Sequence, residues 1–72
     1  MDIKEKVGSR INQLRTEKKI SIECLAWDSN IDPSYLRETI KGERNISILK
    51  LNQVCTQLEV SLTDFFSDPL FQ

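Results

Sequence analysis

The sequence contains no histidine, only two glycines and two prolines, and no run of apolar residues longer than four. The lack of histidine, and of cysteines at the spacing of metal ligands, excludes the usual zinc sites and most general-base chemistry. The short apolar runs exclude a membrane-spanning helix. The charged residues from Asp2 to Lys6 exclude the apolar segment of a secretory signal. We therefore expect a cytoplasmic protein without metal or cofactor.

Two cysteines, Cys24 and Cys55, stand alone within helical patterns. Because free cysteine packs as a small apolar side chain, we predict two reduced and mostly buried thiols. A disulfide is the alternative at this chain length, although nothing in the sequence indicates an oxidising compartment.

What the sequence does have is the composition of one small globular domain, spanning residues 1–72. The net charge of −1 is unevenly distributed. Residues 1–50 hold all ten basic and eight acidic residues, for a net charge of +2, whereas residues 51–72 hold three acidic residues and no basic one. The two parts of the chain are therefore expected to face different partners.

Apolar residues recur at helical spacing along the chain, which predicts an all-α fold of five helices without strands. In the first segment Ile3, Val7, Ile11 and Leu14 form one apolar stripe on a helix predicted to end near Lys18. The fourth helix is predicted to bury Ile48, Leu51, Val54, Cys55 and Leu58. The fifth helix is predicted to bury Leu62, Phe65 and Phe66.

Residues typical of helix N-termini and C-termini mark the boundaries of these helices. Ser21, Asp32, Ser47 and Ser61 are predicted to cap helix N-termini, and Pro33 suits the first position of the third helix. Asn30 and Gly42 are expected to end the second and third helices in the left-handed conformation.

The region from about 21 to 41 therefore contains two short helices joined by a tight turn, Ser29-Asn30-Ile31-Asp32. This arrangement predicts a helix-turn-helix unit, in which the second helix enters the major groove of DNA.

Several segments strengthen this interpretation when they are taken in order. They are Ile11-Asn12-Gln13-Leu14-Arg15, Ser21-Ile22-Glu23-Cys24-Leu25-Ala26, Ile31-Asp32-Pro33-Ser34-Tyr35-Leu36, Lys41-Gly42-Glu43-Arg44-Asn45 and Leu58-Glu59-Val60-Ser61-Leu62-Thr63-Asp64-Phe65-Phe66. In this order they resemble the phage-repressor/Cro (XRE-like) helix-turn-helix family, and in length the chain is similar to the small controller regulators of restriction-modification systems. The resemblance implies a compact five-helix lambda-repressor-like domain that binds double-stranded DNA.

The resemblance also implies which residues contact DNA. Base readout is assigned by position to Asp32, Pro33, Ser34, Tyr35, Arg37 and Glu38. Arg37 suits guanine and Glu38 suits cytosine, although both side chains are equally typical of a solvated helix face. Phosphate contacts are assigned to Ser21, Lys41, Arg44, Asn45 and Ser47. Arg10, Arg15, Lys18 and Lys19 are interpreted either as long-range phosphate contacts or as solvated charges.

The sequence departs from the family pattern at three points. Ile22 replaces the usual glutamine, which removes one contact to the DNA backbone. Ile40 replaces an acidic residue, so that Arg15 is expected to lack its usual ion pair. Asp32 and Glu38 bring negative charge to a face that approaches phosphates, which predicts weaker or more selective binding.

Two further apolar features allow two interpretations each. Trp27 is predicted to pack in the core, with an exposed contact patch for another protein as the alternative. Residues 61–72 are predicted to form a dimer contact through Phe66, Leu70 and Phe71, with coverage of the monomer core as the alternative.

The sequence thus predicts a sequence-specific DNA-binding transcriptional regulator that acts as a homodimer on an operator. The alternative is a protein-interaction module, such as an antitoxin, with Ile22 and Trp27 as its exposed apolar residues. An enzyme is not expected, because no catalytic arrangement is recognisable.

Overall fold

Five α-helices and a final 3-10 helix make up the chain in a computed structural model that describes residues 1–72. The helices are α1 (Ile3–Glu17), α2 (Ile22–Asp28), α3 (Pro33–Ile40), α4 (Ile48–Gln57) and α5 (Leu62–Phe65), followed by the 3-10 helix Pro69–Phe71. The predicted all-α architecture with five α-helices is confirmed.

Each α-helix begins at a residue whose side chain accepts a backbone N–H from the first turn. This contact satisfies an amide that has no partner within the helix. The capping residues are Asp2, Ser21, Asp32, Ser47 and Ser61. The last four are the caps that the sequence predicts, so short polar side chains set the starts of α2 to α5.

Four helices end in the same way, with a left-handed residue that lets the chain turn back over the last carbonyl groups. These residues are Lys19, Asn30, Gly42 and Glu59, with φ angles of 59°, 59°, 78° and 61°. Beyond the end of α2, for example, the Ile31 N–H donates to the Ala26 carbonyl at 2.9 Å. Ile31 is thereby turned into the core, where it is 3% exposed.

All five α-helices contribute side chains to the core, and α1 approaches α3 very closely at Gly8. A Cβ atom at Gly8 would lie 2.7 Å from the Ile40 carbonyl oxygen and in direct overlap with the Thr39 carbonyl oxygen. Only glycine allows this approach, which fixes the end of α3 against α1. Twelve apolar side chains fill the core: Val7, Ile11, Leu14, Leu25, Ala26, Ile31, Leu36, Leu51, Val54, Cys55, Leu58 and Phe65.

Trp27 lies outside this core, and the prediction that it packs there is wrong, since it is 70% exposed. Successive helical residues turn by about 100°, and the buried arc of α2 is occupied by Leu25 and Ala26. Trp27 falls on the opposite side of the helix. Ile22 falls within the buried arc and packs against the core, so it is not the exposed apolar residue that the sequence analysis suggests.

Two helix-terminal isoleucines are also exposed, which for Ile48 contradicts the prediction of burial. Ile3 and Ile48 are the first residues of α1 and α4, and they are 60% and 78% exposed. Both continue the apolar stripe of their helix, but the first turn of each helix extends beyond the packed core. Phe66, predicted to be buried, is 40% exposed, whereas its neighbour Phe65 is completely buried.

The two cysteines differ in environment, so the prediction of two buried thiols holds only for Cys55. Both are free, and Cys24 is exposed. The Cys24 thiol donates to the Asp28 carboxylate at 3.6 Å, and this negative charge raises the pKa of the thiol. Burial raises the pKa of the Cys55 thiol to about 11.

Candidate nucleic-acid interface

The helix-turn-helix unit comprises α2, the turn 29–32 and α3. Asp32 caps α3 by accepting the Ser34 N–H at 2.8 Å, which holds its carboxylate against the backbone at the start of the helix. Asp32 and Ser34 are exposed and Pro33 is half-buried. The first turn of α3 therefore presents two short polar side chains outward.

Arg37 lies one turn further along α3 and is paired with a carboxylate of α2. Its Nη1 donates to Glu23 Oε2 at 2.7 Å, while Nη2 lies 3.5 Å from Ser34 Oγ. The Arg37 and Glu23 side chains are 42% and 58% exposed. An ion pair this exposed contributes only about 0–1 kcal/mol, so a base or a phosphate can displace the carboxylate.

Glu38, the next residue, pairs with Arg44 in the loop between α3 and α4. Arg44 donates to Glu38 Oε1 from Nε at 3.1 Å and from Nη2 at 2.9 Å. Both side chains are 43% exposed. In the free protein, therefore, the two residues assigned to base readout on the middle turn of α3 are each held by a residue of opposite charge.

Tyr35 takes a different position from the other predicted base-reading residues. It is half-buried, and its hydroxyl accepts the Ser47 N–H at 3.4 Å. The centre of its ring lies 4.4 Å from Arg44 Cζ and 4.1 Å from Lys50 Nζ. Tyr35 thus contacts the loop after α3 and the start of α4.

The predicted phosphate-binding residues lie around α3 at three helix boundaries. Ser21 Oγ accepts the Cys24 N–H at 3.0 Å, and Ser47 Oγ accepts the Lys50 N–H at 3.2 Å. Each hydroxyl keeps its own proton to donate to an anion. Lys41 and Asn45 are exposed on the same loop as Arg44.

Lys50 belongs with these residues but is missing from the sequence-based assignment. Its place over the Tyr35 ring depends on how the loop 41–47 brings α4 against α3. The signal available in the sequence was its position three residues after the capping Ser47, which places it in the first turn of α4.

Arg10 and Arg15 are engaged within the protein, so neither is the freely solvated charge that the sequence allows. Arg10 donates to the Phe65 carbonyl at 2.9 Å and pairs with Asp68 at 3.1 Å. Arg15 donates to the Ile20 carbonyl at 2.8 Å and to Asn12 at 2.6 Å. In the absence of an acidic residue at position 40, Arg15 thus ties the end of α1 to the chain that follows it.

The residues predicted to form a dimer contact lie in a cluster of three aromatic rings. The ring of Phe66 lies 4.9 Å from those of both Phe65 and Phe71, in edge-on geometry. Phe71 packs against the core, and Leu70 is half-buried. Phe66 is therefore the member of the cluster with the most free surface.

No helix has both the length and the apolar character needed to cross a membrane. No group of three or more His, Cys, Asp or Glu side chains is arranged to hold a metal ion.

Comparison with known proteins agrees with this geometry. Residues 10–69 match the Cro/C1-type HTH DNA-binding domain. The control protein C.MunI from Mycoplasma sp is 34% identical over 68 residues, which cover 93% of this chain and 92% of that protein.

Two solved structures are similar in both sequence and fold. The restriction-modification controller protein C.AhdI from Aeromonas hydrophila is 35% identical, with a TM-score of 0.84 over 88% of this chain and 96% of that one. The restriction-modification controller protein C.Esp1396I, solved as a tetramer in complex with its natural 35 base-pair operator, is 35% identical, with a TM-score of 0.84 over 92% of this chain and 87% of that one. The chain belongs to the Cro/C1-type helix-turn-helix family of DNA-binding transcriptional regulators, as its sequence predicts.

Proposed function

We propose that this protein is a controller-type regulator that binds an operator as a homodimer and acts on transcription without catalysis. In this proposal the first two turns of α3 read base edges through Ser34 and Arg37, beside Asp32 and Pro33, while Glu38 restrains Arg44 until DNA binds. The α2 start and the α3–α4 loop hold the phosphates on either side, through Ser21, Lys41, Arg44, Asn45 and Ser47. Such a protein works in the compartment that contains the DNA, for which the cytoplasm is our proposal.

The observation that carries the proposal is the placement of exposed, weakly paired arginines beside two helix starts. Arg37 and Arg44 each have one carboxylate partner, and both pairs are more than 40% exposed. The amides at the starts of α2 and α4 favour anions, because a helix N-terminus carries partial positive charge. Base-reading and phosphate-binding groups thus lie on adjoining parts of one surface.

Similarity to controller proteins supports the operator and the dimer. C.Esp1396I, a relative of this chain, assembles as a tetramer on its operator. This chain measures 30 × 24 × 22 Å. Two domains of this size are of the right scale to occupy half-sites that lie roughly 34–36 Å apart on one face of DNA. The exposed ring of Phe66, next to Phe71 and with Leu70 in the same C-terminal segment, offers an apolar surface for this contact.

The proposal is tested by titrating the protein into duplex DNA from upstream of its own gene, with a random duplex of equal length, at two salt concentrations. We expect tighter binding to the upstream duplex, and affinity for both duplexes that falls with salt because phosphate contacts release counterions. Sedimentation at several protein concentrations, without DNA, is expected to show a dimer that dissociates on dilution. Equal weak binding to both duplexes would contradict an operator upstream of its own gene, and a monomer at all concentrations would contradict the dimer.

A protein partner is the second candidate function, and the exposed side chain of Trp27 favours it. A tryptophan that is 70% exposed on the outward side of α2 is unusual for a residue with so much apolar surface. Co-purification of a second protein with the wild-type chain, but not with Trp27→Ala, would support this function.

A further inference from the structure

The ring of Tyr35 is the point at which three separate parts of the chain meet. Tyr35 itself lies in α3, Arg44 in the loop that follows, and Lys50 in the first turn of α4. Both cationic groups lie within 4.5 Å of the centre of the ring, and the Tyr35 hydroxyl accepts the backbone N–H of Ser47 between them in sequence.

Two cations so close to one ring would repel each other in the absence of the ring. The negative face of an aromatic ring attracts cations, which offsets part of this repulsion and restricts two long, flexible side chains. Arg44 is further restricted by Glu38, whereas no carboxylate pairs with Lys50. The ring is thus the contact that Arg44 and Lys50 share.

We propose that Tyr35 is a positioning residue and not a base-reading residue. Its ring holds Arg44 and Lys50 in place as two phosphate-binding groups, which we call the phosphate clamp, and its hydroxyl contacts the start of α4 at Ser47. Lys50 becomes a phosphate-binding residue in addition to those that the sequence suggests. This inference rests on the proposed binding of duplex DNA and specifies how one part of that interface is held in place.

The chemistry of the clamp suits a backbone phosphate better than a base edge. A phosphate accepts several hydrogen bonds and carries a full negative charge, so that a guanidinium, an ammonium or a helix start each binds it favourably. Contacts of this kind do not depend on base sequence. Loss of the clamp should therefore reduce the affinity for cognate and random duplexes by the same factor.

The first test compares Tyr35→Phe with Tyr35→Leu. The phenylalanine variant keeps the ring and is expected to bind both duplexes within about threefold of wild type. The leucine variant keeps an apolar side chain but removes the ring, and we expect its affinity for both duplexes to fall roughly five- to thirtyfold. A fall confined to the cognate duplex would overturn the inference, because it would make Tyr35 a base-reading residue. Equal affinities of the two variants would overturn it as well.

A double-substitution cycle separates positioning from a general structural role. If Tyr35 acts through Arg44, the change Arg44→Ala should cost less in the Tyr35→Leu protein than in wild type, because the arginine is already displaced there. If Arg44→Ala reduces the affinity by the same factor in the Tyr35→Leu protein as in wild type, the inference is overturned. Thermal unfolding of each variant, followed by circular dichroism, shows whether the protein measured is folded.

Lys50→Ala provides a test that does not depend on folding of a Tyr35 variant. Each phosphate contact contributes about 0.9 to the slope of log affinity against log salt concentration. We expect this variant to bind both duplexes more weakly and with a slope reduced by about 0.9 per protomer, whereas Lys4→Ala, at the exposed start of α1, should leave the slope unchanged. An unchanged slope in Lys50→Ala overturns the clamp while the DNA-binding proposal stands. Failure of the wild-type protein to bind either duplex would instead overturn the proposed function, and the clamp with it.

Discussion

The edge formed by α3 and the loop after it, which is the proposed DNA-facing edge, and the C-terminal end of this domain use arginine in opposite ways. At the C-terminal end Arg10 donates to the carbonyl groups of Asp64 and Phe65 and to the Asp68 carboxylate, with a side chain only 13% exposed. At the DNA-facing edge Arg37 and Arg44 are each paired with one carboxylate, and their side chains are 42% and 43% exposed.

The difference shows that burial and the number of partners decide what an arginine can do. An exposed pair contributes about 0–1 kcal/mol and exchanges readily with a DNA phosphate or base. A charged donor that satisfies several poorly hydrated acceptors cannot be withdrawn without leaving those acceptors unpaired. Arg10 therefore contributes to folding, whereas Arg37 and Arg44 are available to a ligand.

The largest effect is expected from Arg10→Met, which keeps most of the apolar side-chain length but removes the donors. Asp68 and two carbonyl groups would lose their partner, and the contact between α1 and the C-terminal end would weaken. We expect the free energy of unfolding to fall by about 2–3 kcal/mol, as measured by urea denaturation. The control Lys18→Met breaks the exposed pair with Glu59 and should cost no more than about 1 kcal/mol. If the two variants were equally stable, burial would not be what distinguishes these arginines.

Arg37→Ala tests the other side of the comparison. Loss of a bidentate contact to a base should reduce the discrimination between cognate and random duplex by about 1–3 kcal/mol. Because the side chain is exposed, the free energy of unfolding should change by no more than about 0.5 kcal/mol. The matched variant Arg44→Ala should reduce the affinity for both duplexes alike, since it removes a phosphate contact. Both affinities are measured by fluorescence anisotropy with labelled duplexes, and a parallel loss for Arg37→Ala would refute its role in base reading.

Phe66→Ala is expected to act on association and not on folding. The side chain is 40% exposed and lies outside the buried core, so its removal opens little of the monomer core. In a dimer built on this surface, loss of a central aromatic ring should weaken association by about 1–2 kcal/mol, measured by sedimentation equilibrium. Trp27→Ala removes an even more exposed aromatic ring, on the outward side of α2, and serves as the control. A dimer that responds to Trp27→Ala but not to Phe66→Ala would place the contact on α2.

Most of the fold could be predicted from the sequence because its helix boundaries depend on local chemistry. Ser21, Asp32, Ser47 and Ser61 carry the capping oxygen that each helix start requires, and these positions are independent of the rest of the fold. The left-handed Lys19 and Glu59 were not predicted, since neither residue type favours that conformation. The signal there is the apolar residue that follows each of them, Ile20 or Val60, which packs back on the core.

The exposure of side chains was harder to predict than the positions of the helices. The spacing of apolar residues identifies the apolar face of a helix, but it does not show how far along the helix that face is buried. Ile48 continues the stripe of α4, but it lies at the exposed first turn of the helix. The general tendency of tryptophan to be buried misled the prediction for Trp27, whose angular position on α2 was the better guide.

The residues of the candidate site could be named from the resemblance, but their pairing could not. Glu23 and Arg37 are 14 residues apart in sequence, and their contact depends on the angle between α2 and α3. The same holds for the position of Lys50 over Tyr35, which requires the complete loop between α3 and α4. For Glu38 the sequence suggested an acceptor for cytosine, whereas the structure places it in an ion pair with Arg44.

The smallest effect, and the most direct test of the exchangeable pairs, is expected from Glu38→Gln. This change removes a negative charge near the phosphates and releases Arg44, so affinity should rise by up to about 1 kcal/mol for cognate and random duplexes alike. Glu59→Gln removes an exposed carboxylate near the C-terminal end and should leave affinity unchanged, which controls for the change in net charge. If Glu38 instead accepts a hydrogen bond from cytosine, its replacement reduces the affinity for the cognate duplex selectively. The sign of the change in cognate affinity thus decides whether Glu38 restrains Arg44 until DNA arrives or reads a base itself.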